Sequence, residues 1–165
     1  RWTLVTALAR AGRFGEAEIA AEATRDQTIT GSEKAAGARA AQPSKQAKEA
    51  AWQQAMMDPT TPNETARSIA TSFHRAGQED LLTPYLSKYL DAAVNAWDRL
   101  GAHKAAVALE ALFPTLLASD TNAATITDWL AATTAPDQVK RYVGEGLDDM
   151  RRALAAQAYD ARDSS

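Results

Sequence analysis

Two histidines, His74 and His103, are the best candidate metal ligands in the chain, and there is no cysteine. A helical zinc site pairs ligands as in H-E-x-x-H and adds a third or fourth N, S or O donor. Neither histidine has a second histidine or an adjoining Glu at that spacing, so each reads as a satisfied or surface side chain. The lack of cysteine also removes disulfides, thiolate ligands and a sulfur nucleophile. The densest carboxylate group is Glu145, Asp148 and Asp149. Catalytic carboxylates need burial or convergence to shift their pKa. Here Arg151 and Arg152 follow within a turn, which describes a solvated charged face. No P-loop, G-x-S-x-G or G-x-G-x-x-G is present. The aromatics Trp52, Tyr85, Tyr89, Trp97 and Trp129 fall on apolar faces, so core packing is expected. Tyr85 and Tyr89 are the exceptions, because a phenol hydroxyl can face a solvent-filled cavity.

The elements that hold these residues are helices. Alanine is abundant while Val, Ile, Phe and Tyr are sparse, which favours close helix packing over sheet. The pattern predicts one long central helix, opened by Thr83-Pro84 and stopped by Gly101. Its apolar stripe runs through Leu82, Tyr85, Leu86, Tyr89, Leu90, Val94, Trp97 and Leu100, with Lys88, Asp91, Asn95 and Asp98 pointing away.

Before it, a helix with Trp2, Val5, Leu8 and Ala9 on one face ends at Gly12. A second follows with Phe14, Ala17, Ala20, Ala21 and Thr24 inward and Glu16, Glu18 and Glu22 outward. So short a link makes the pair an antiparallel hairpin. Thr30 and Glu33 predict a capping box for a third helix. Ser44 caps a fourth carrying Ala47, Ala51, Trp52, Ala55 and Met56. Prolines at Pro59 and Pro62 break the chain, and Asn63 caps a fifth helix that ends at Gly77.

After the central helix, one more runs from Ala102 to Leu112 and is interrupted at Pro114. Ser119 to Asn122 reads as a loop before a short helix with Ile126, Trp129 and Leu130. The last helix opens at Thr134-Ala135-Pro136-Asp137 and carries Val139, Val143, Leu147, Met150 and Leu154. The pairs Asp137/Arg141 and Asp148/Arg152 have favourable i,i+4 spacing. Gly144 and Gly146 mark a place for close backbone contact, and the tail from Asp160 to Ser165 is expected to fray.

The tripeptide Arg10-Ala11-Gly12 recurs as Arg75-Ala76-Gly77, 65 positions later. That is about two helical hairpins of roughly 34 residues each. The expected fold is all-α: antiparallel hairpins stacked as an α-solenoid, a HEAT/armadillo-like superhelix, with residues 1–165 forming one helical-repeat unit.

A net charge of -3 and a pI near 5.4 speak against a nucleic-acid binder, since Lys140-Arg141 and Arg151-Arg152 are accompanied by acids. No apolar run approaches the roughly 18 residues of a membrane span. A reducing, cytoplasmic setting suits a chain without cysteine. The opening at Arg1-Trp2, as though inside a helix, reads as part of a longer polypeptide.

Several stretches, in order, resemble one family. They are Trp2 to Gly12 followed by Glu16; Asp26-Gln27-Thr28 with Gly31; and Pro43-Ser44-Lys45 through Lys48 to Ala51-Trp52. Gln78 to Leu82 with Pro84-Tyr85 and Tyr89, Leu112-Phe113-Pro114, and Gly146 to Leu154 complete the set. Together they are similar to the C-terminal helical domain of bacterial aminopeptidase N, in its actinobacterial form. That zinc metallopeptidase family shares the domain with the endoplasmic-reticulum aminopeptidases.

The resemblance implies a parent enzyme that removes N-terminal residues from peptides, with its zinc held by an H-E-x-x-H site upstream. This chain would be the distal part of a curved helical domain that covers the active-site chamber and limits peptide access. It would carry no catalytic or metal residue, need no cofactor and be inactive alone. Its partners would be the upstream catalytic and helical parts and peptide substrates. Tyr85 or Tyr89 would line the chamber. The second reading, from another class, is a free-standing helical scaffold that binds a protein partner.

Overall fold

A computed structural model describes residues 1–163. Among these the chain is helical, with no strand. In order the helices are α1 (Trp2–Arg10), α2 (Glu16–Arg25), α3 (Ile29–Ala40), α4 (Lys45–Trp52), α5 (Asn63–Phe73), α6 (Glu79–Leu82), α7 (Tyr85–Ala93), α8 (Ala96–Leu100), α9 (Ala102–Ala111), α10 (Asp120–Ala132) and α11 (Asp137–Asp163). A π-type turn, Gln53–Met57, extends α4, and a 3-10 turn, Thr115–Leu117, precedes α10.

Side-chain contacts fix the directions. Arg1 pairs with Glu22, and the Trp2 indole donates to Asp26 at 2.7 Å, so α1 and α2 run antiparallel. Arg39 grips Glu16 with two hydrogen bonds, which sets α3 antiparallel to α2. In one row α1 packs on α3, α3 on α5, α5 on α9 and α9 on α11. Beside that row, α2 and α4 flank α3, α8 flanks α9, and α10 flanks α11. Small residues bring α3 and α5 close: a Cβ on Gly37 would lie 2.7 Å from the Ser68 hydroxyl.

Three helices of the row, α1, α3 and α5, end at the same level. The last carbonyls of a helix have no partner inside it and must find donors elsewhere. Two buried side chains supply them. The Lys48 ammonium donates to Ala40 O at 2.8 Å and to Phe73 O at 2.7 Å. Gln78 Nε2 donates to Ala41 O at 3.0 Å and to Arg10 O at 3.3 Å. The repeated tripeptides sit at this end. Gly12 and Gly77 adopt φ of +69° and +84°, a left-handed turn that glycine takes without steric cost.

The central helix is not continuous. Pro84 ends α6, and the Thr83 hydroxyl bonds back to Glu79 O instead of capping α7. A second break falls at Asn95, where Arg99 takes the freed Ala92 carbonyl at 2.8 Å and Met56 O at 3.2 Å. The three pieces still bury Leu82, Tyr85, Tyr89, Leu90 and Leu100, while Trp97 is half-buried against Tyr142.

Other boundaries move for local reasons. Thr28, not Thr30, caps α3: its hydroxyl accepts from Gly31 N and donates to Asp26. Ser44 caps α4 as expected. Asn63 is the first residue of α5, preceded by Pro62 with no side-chain cap. Ser119 is an N-cap that starts α10, so the predicted loop is the first turn of a helix. On α2 the inward residues are Ile19 and Glu22, with Glu22 paired to Arg1 and Arg25. On α11 the ion pairs are Arg141–Glu145 and Arg152–Asp149, in place of pairs with Asp137 and Asp148. Helix α11 continues through Asp163, and Ser164 and Ser165 lie outside the described residues.

Candidate functional site

Tyr85 opens α7 behind Pro84, and its ring enters the core edge-on to Phe73 at 4.9 Å and tilted on Trp52 at 5.3 Å. Only 6% of the residue is exposed, yet its hydroxyl reaches the surface and donates to Glu49 Oε2 at 3.2 Å. Lys88 lies one residue short of a helical turn beyond Tyr85, on the same side. Its ammonium donates to the same Glu49 oxygen at 2.6 Å and stands 4.8 Å from the Tyr85 ring centre. The hydrogen bond from Lys88, aided by Gln53, holds the Glu49 carboxyl below its ordinary range. Burial, then the Glu49 charge, pushes the Tyr85 phenol up. The group is therefore a carboxylate, an ammonium and a neutral phenol sharing one oxygen.

The π-type turn shapes the rest of this site. Asp58 N bonds to Gln53 O across five residues at 2.8 Å, which widens the end of the α4 segment. A cleft of about 440 Å³ opens between that turn and α7, lined among others by Glu49, Trp52, Met57, Lys88, Asp91 and Arg99. No nucleophile here faces a free base, since Glu49 is already neutralised by Lys88. The arrangement is a polar surface with an aromatic backing.

Tyr89 lies one turn behind Tyr85 and has no exposed surface. Its hydroxyl donates to Leu109 O at 2.7 Å, and Phe113 packs edge-on at 5.6 Å. Of the two tyrosines, only Tyr85 reaches a surface within this chain. Glu49 and Arg99 carried no sequence signal, because their partners lie 39 and 43 positions away. Lys88 was legible as a neighbour of Tyr85 but not as a member of a site.

The histidines stand in different surroundings. His103 is exposed, 3.5 Å from the Arg67 guanidinium. His74 follows α5, its ring edge-on to Phe73 at 5.2 Å and its Nε2 buried without a partner. Burial, with Lys48 and Arg75 close by, pushes its pKa down to about 4. The folded chain thus binds the His74 proton more weakly than the unfolded chain, whose imidazole titrates near 6.5. Stability from this group is complete above pH 6.5 and is lost as pH falls toward 4. Between pH 8 and pH 5 the loss amounts to about 2 kcal/mol. Urea midpoints compared for the wild type and His74→Phe check this: the variant keeps its stability where the wild type declines.

Among the described residues no three His, Cys, Asp or Glu side chains gather as a metal site. Nor is any helix long and apolar enough to cross a membrane. Glu145, Asp148 and Asp149 are exposed on α11, with Glu145 and Asp149 taken up by arginines of the same helix.

The chain is 35% identical over 161 residues to an aminopeptidase N of Streptomyces lividans. That match covers 98% of the chain and 19% of the relative, so the chain spans about a fifth of the relative's length. Residues 1–152, from α1 through the packed part of α11, match the family described as the ERAP1-like C-terminal domain. On that match the chain belongs to the ERAP1-like C-terminal domain family.

Proposed function

We propose that this chain is the distal part of the C-terminal helical domain of a zinc aminopeptidase, an enzyme that removes N-terminal residues from peptides in the cytoplasm. The observation that carries this reading is the 35% identity to an aminopeptidase N over 98% of the chain. The catalytic zinc and the residues that bind the substrate amine belong to the upstream part of the longer protein. This chain packs against that part as the distal part of an α-solenoid, closes the chamber and limits which peptides enter.

Within the chamber, Tyr85 with Glu49 and Lys88 forms a stretch of wall. Tyr89 supports that wall from behind through its bond to Leu109 O. Such a wall touches long peptides and not a single aminoacyl group. In the longer protein, the double substitution Glu49→Ala, Lys88→Ala is expected to lower kcat/KM for a peptide of about eight residues, relative to an aminoacyl-arylamide, by about tenfold. That corresponds to about 1.4 kcal/mol of lost contact. Equal loss on both substrates, or none on either, overturns the assignment.

A further inference from the structure

The cleft of about 440 Å³ beside α7 is lined by four charged side chains, and two of them are already spent on each other. Lys88 donates to Glu49 Oε2, and Gln53 occupies the other Glu49 oxygen at 3.0 Å. Asp91 and Arg99 remain. Arg99 gives Nε–H to Met56 O and an Nη2–H to Ala92 O, which leaves its other N–H donors unspent. Ala92 directly follows Asp91, so the 2.8 Å bond to its carbonyl brings the guanidinium to the Asp91 end of the cleft. Yet the two make no ion pair. Among the described residues the exposed Asp91 carboxylate has no hydrogen-bond or ion-pair partner.

We propose that this cleft holds one residue of an extended peptide by its main chain, Asp91 accepting from the N–H and Arg99 donating to the C=O. The inference rests on the proposed aminopeptidase reading and names the part of a long peptide that this surface reads. In an extended strand the N–H and C=O of one residue point to the same side, so a single residue meets both groups. A guest that offers only a charge fits worse. A carboxylate is repelled by Asp91, an ammonium is repelled by Arg99, and the four charges lining the cleft cancel. Met57 and Ala92, both half-buried, add an apolar floor on which side chains of many kinds can lie. Main-chain bonds of this type give affinity that does not depend on peptide sequence.

The test is made in the longer protein with dye-labelled peptides of about eight residues whose first peptide bond is reduced, so that they are bound and not cleaved. A single N-methyl group, which removes one backbone donor, is moved along the peptide, and Kd is read by fluorescence anisotropy. At one internal position N-methylation is expected to raise Kd about tenfold in the wild type and to have no such effect in Asp91→Ala. Asp91→Asn, whose amide oxygen still accepts a hydrogen bond, should keep part of the sensitivity. Exchanging the side chain at that position among Ala, Glu and Lys should change Kd by less than about threefold. The inference is overturned if Asp91→Ala removes N-methyl sensitivity at no position. It is also overturned if Glu and Lys at one position differ about tenfold in the wild type and not in Asp91→Ala, because the cleft then reads side-chain charge. Cleavage of an aminoacyl-arylamide is measured separately. If it occurs and the position-specific effect is absent, this inference fails while the aminopeptidase reading stands. If the effect is present without cleavage, that reading fails and the main-chain site stands.

Discussion

Replacing Lys48 by Met is expected to destabilise the fold by about 3–4 kcal/mol, although Met matches the lysine stem in length and apolar character. Lys48 is fully buried, and its ammonium is the donor that Ala40 O and Phe73 O both use. Without it, two helix C-termini face each other with unsatisfied carbonyls, each costing about 1–3 kcal/mol. The positive charge also sits where both helix dipoles favour it, and 5.4 Å from the Phe73 ring centre.

Burial, followed by the nearby Arg75 charge, pushes the Lys48 pKa down to about 8, so at pH 7 the ammonium remains charged. The sign of its pH dependence follows from the depressed value. Between about pH 8 and 10.5 the unfolded chain holds this proton and the folded chain releases it, so Lys48 adds stability as pH rises through that window. The neutral amine still donates to the carbonyls and no longer carries the cost of a buried charge. The difference between wild type and Lys48→Met in urea unfolding should therefore widen from pH 7 to pH 10. Lys48→Gln, which can satisfy one carbonyl, should lose less. A loss below about 1 kcal/mol for Met would mean that water reaches the two carbonyls.

Lys48 also shows where reading the sequence stops. Helix starts and stops are local properties: the Ser44 hydroxyl, the glycines at 12, 77 and 101, and the prolines at 59 and 62 each act within a few residues. They were legible as such. A buried lysine looks like any solvated lysine until α3 and α5 converge on it from positions 8 and 25 residues away. The break at Asn95 was hidden for the same reason. Apolar spacing from Leu82 to Leu100 fits a continuous helix, and what stabilises the break is Arg99, which also holds Met56 O on the π-type turn. On α2, Glu22 was placed outward by its charge, yet Arg1 and Arg25 neutralise it and Ile19 turns the helix inward. At the candidate site Tyr85 could be singled out from its type and face, while Glu49, which gives its hydroxyl a partner, comes from a different helix.

Gly146→Ala is expected to destabilise by about 2–3 kcal/mol, although alanine is favoured over glycine in a helix by about 1 kcal/mol. A Cβ at this position would meet Phe113 ring atoms at 2.4–2.6 Å, far inside contact distance. The ring cannot yield cheaply. Phe113 is 2% exposed and stands edge-on to Tyr89 at 5.6 Å, with the Tyr89 hydroxyl fixed to Leu109 O. Pushing Phe113 therefore strains the ring behind the candidate wall as well as the α9–α11 contact. Gly144, two residues earlier, is the control: nothing lies within 4 Å of a Cβ there, so Gly144→Ala should be neutral or stabilising by up to about 1 kcal/mol. Phe113→Leu shortens the obstructing side chain and should recover part of the loss when combined with Gly146→Ala. A double-mutant cycle in urea gives that coupling directly. Additive effects, or equal stability of the two alanine variants, would show that the close approach of α11 to Phe113 is not what requires glycine at 146.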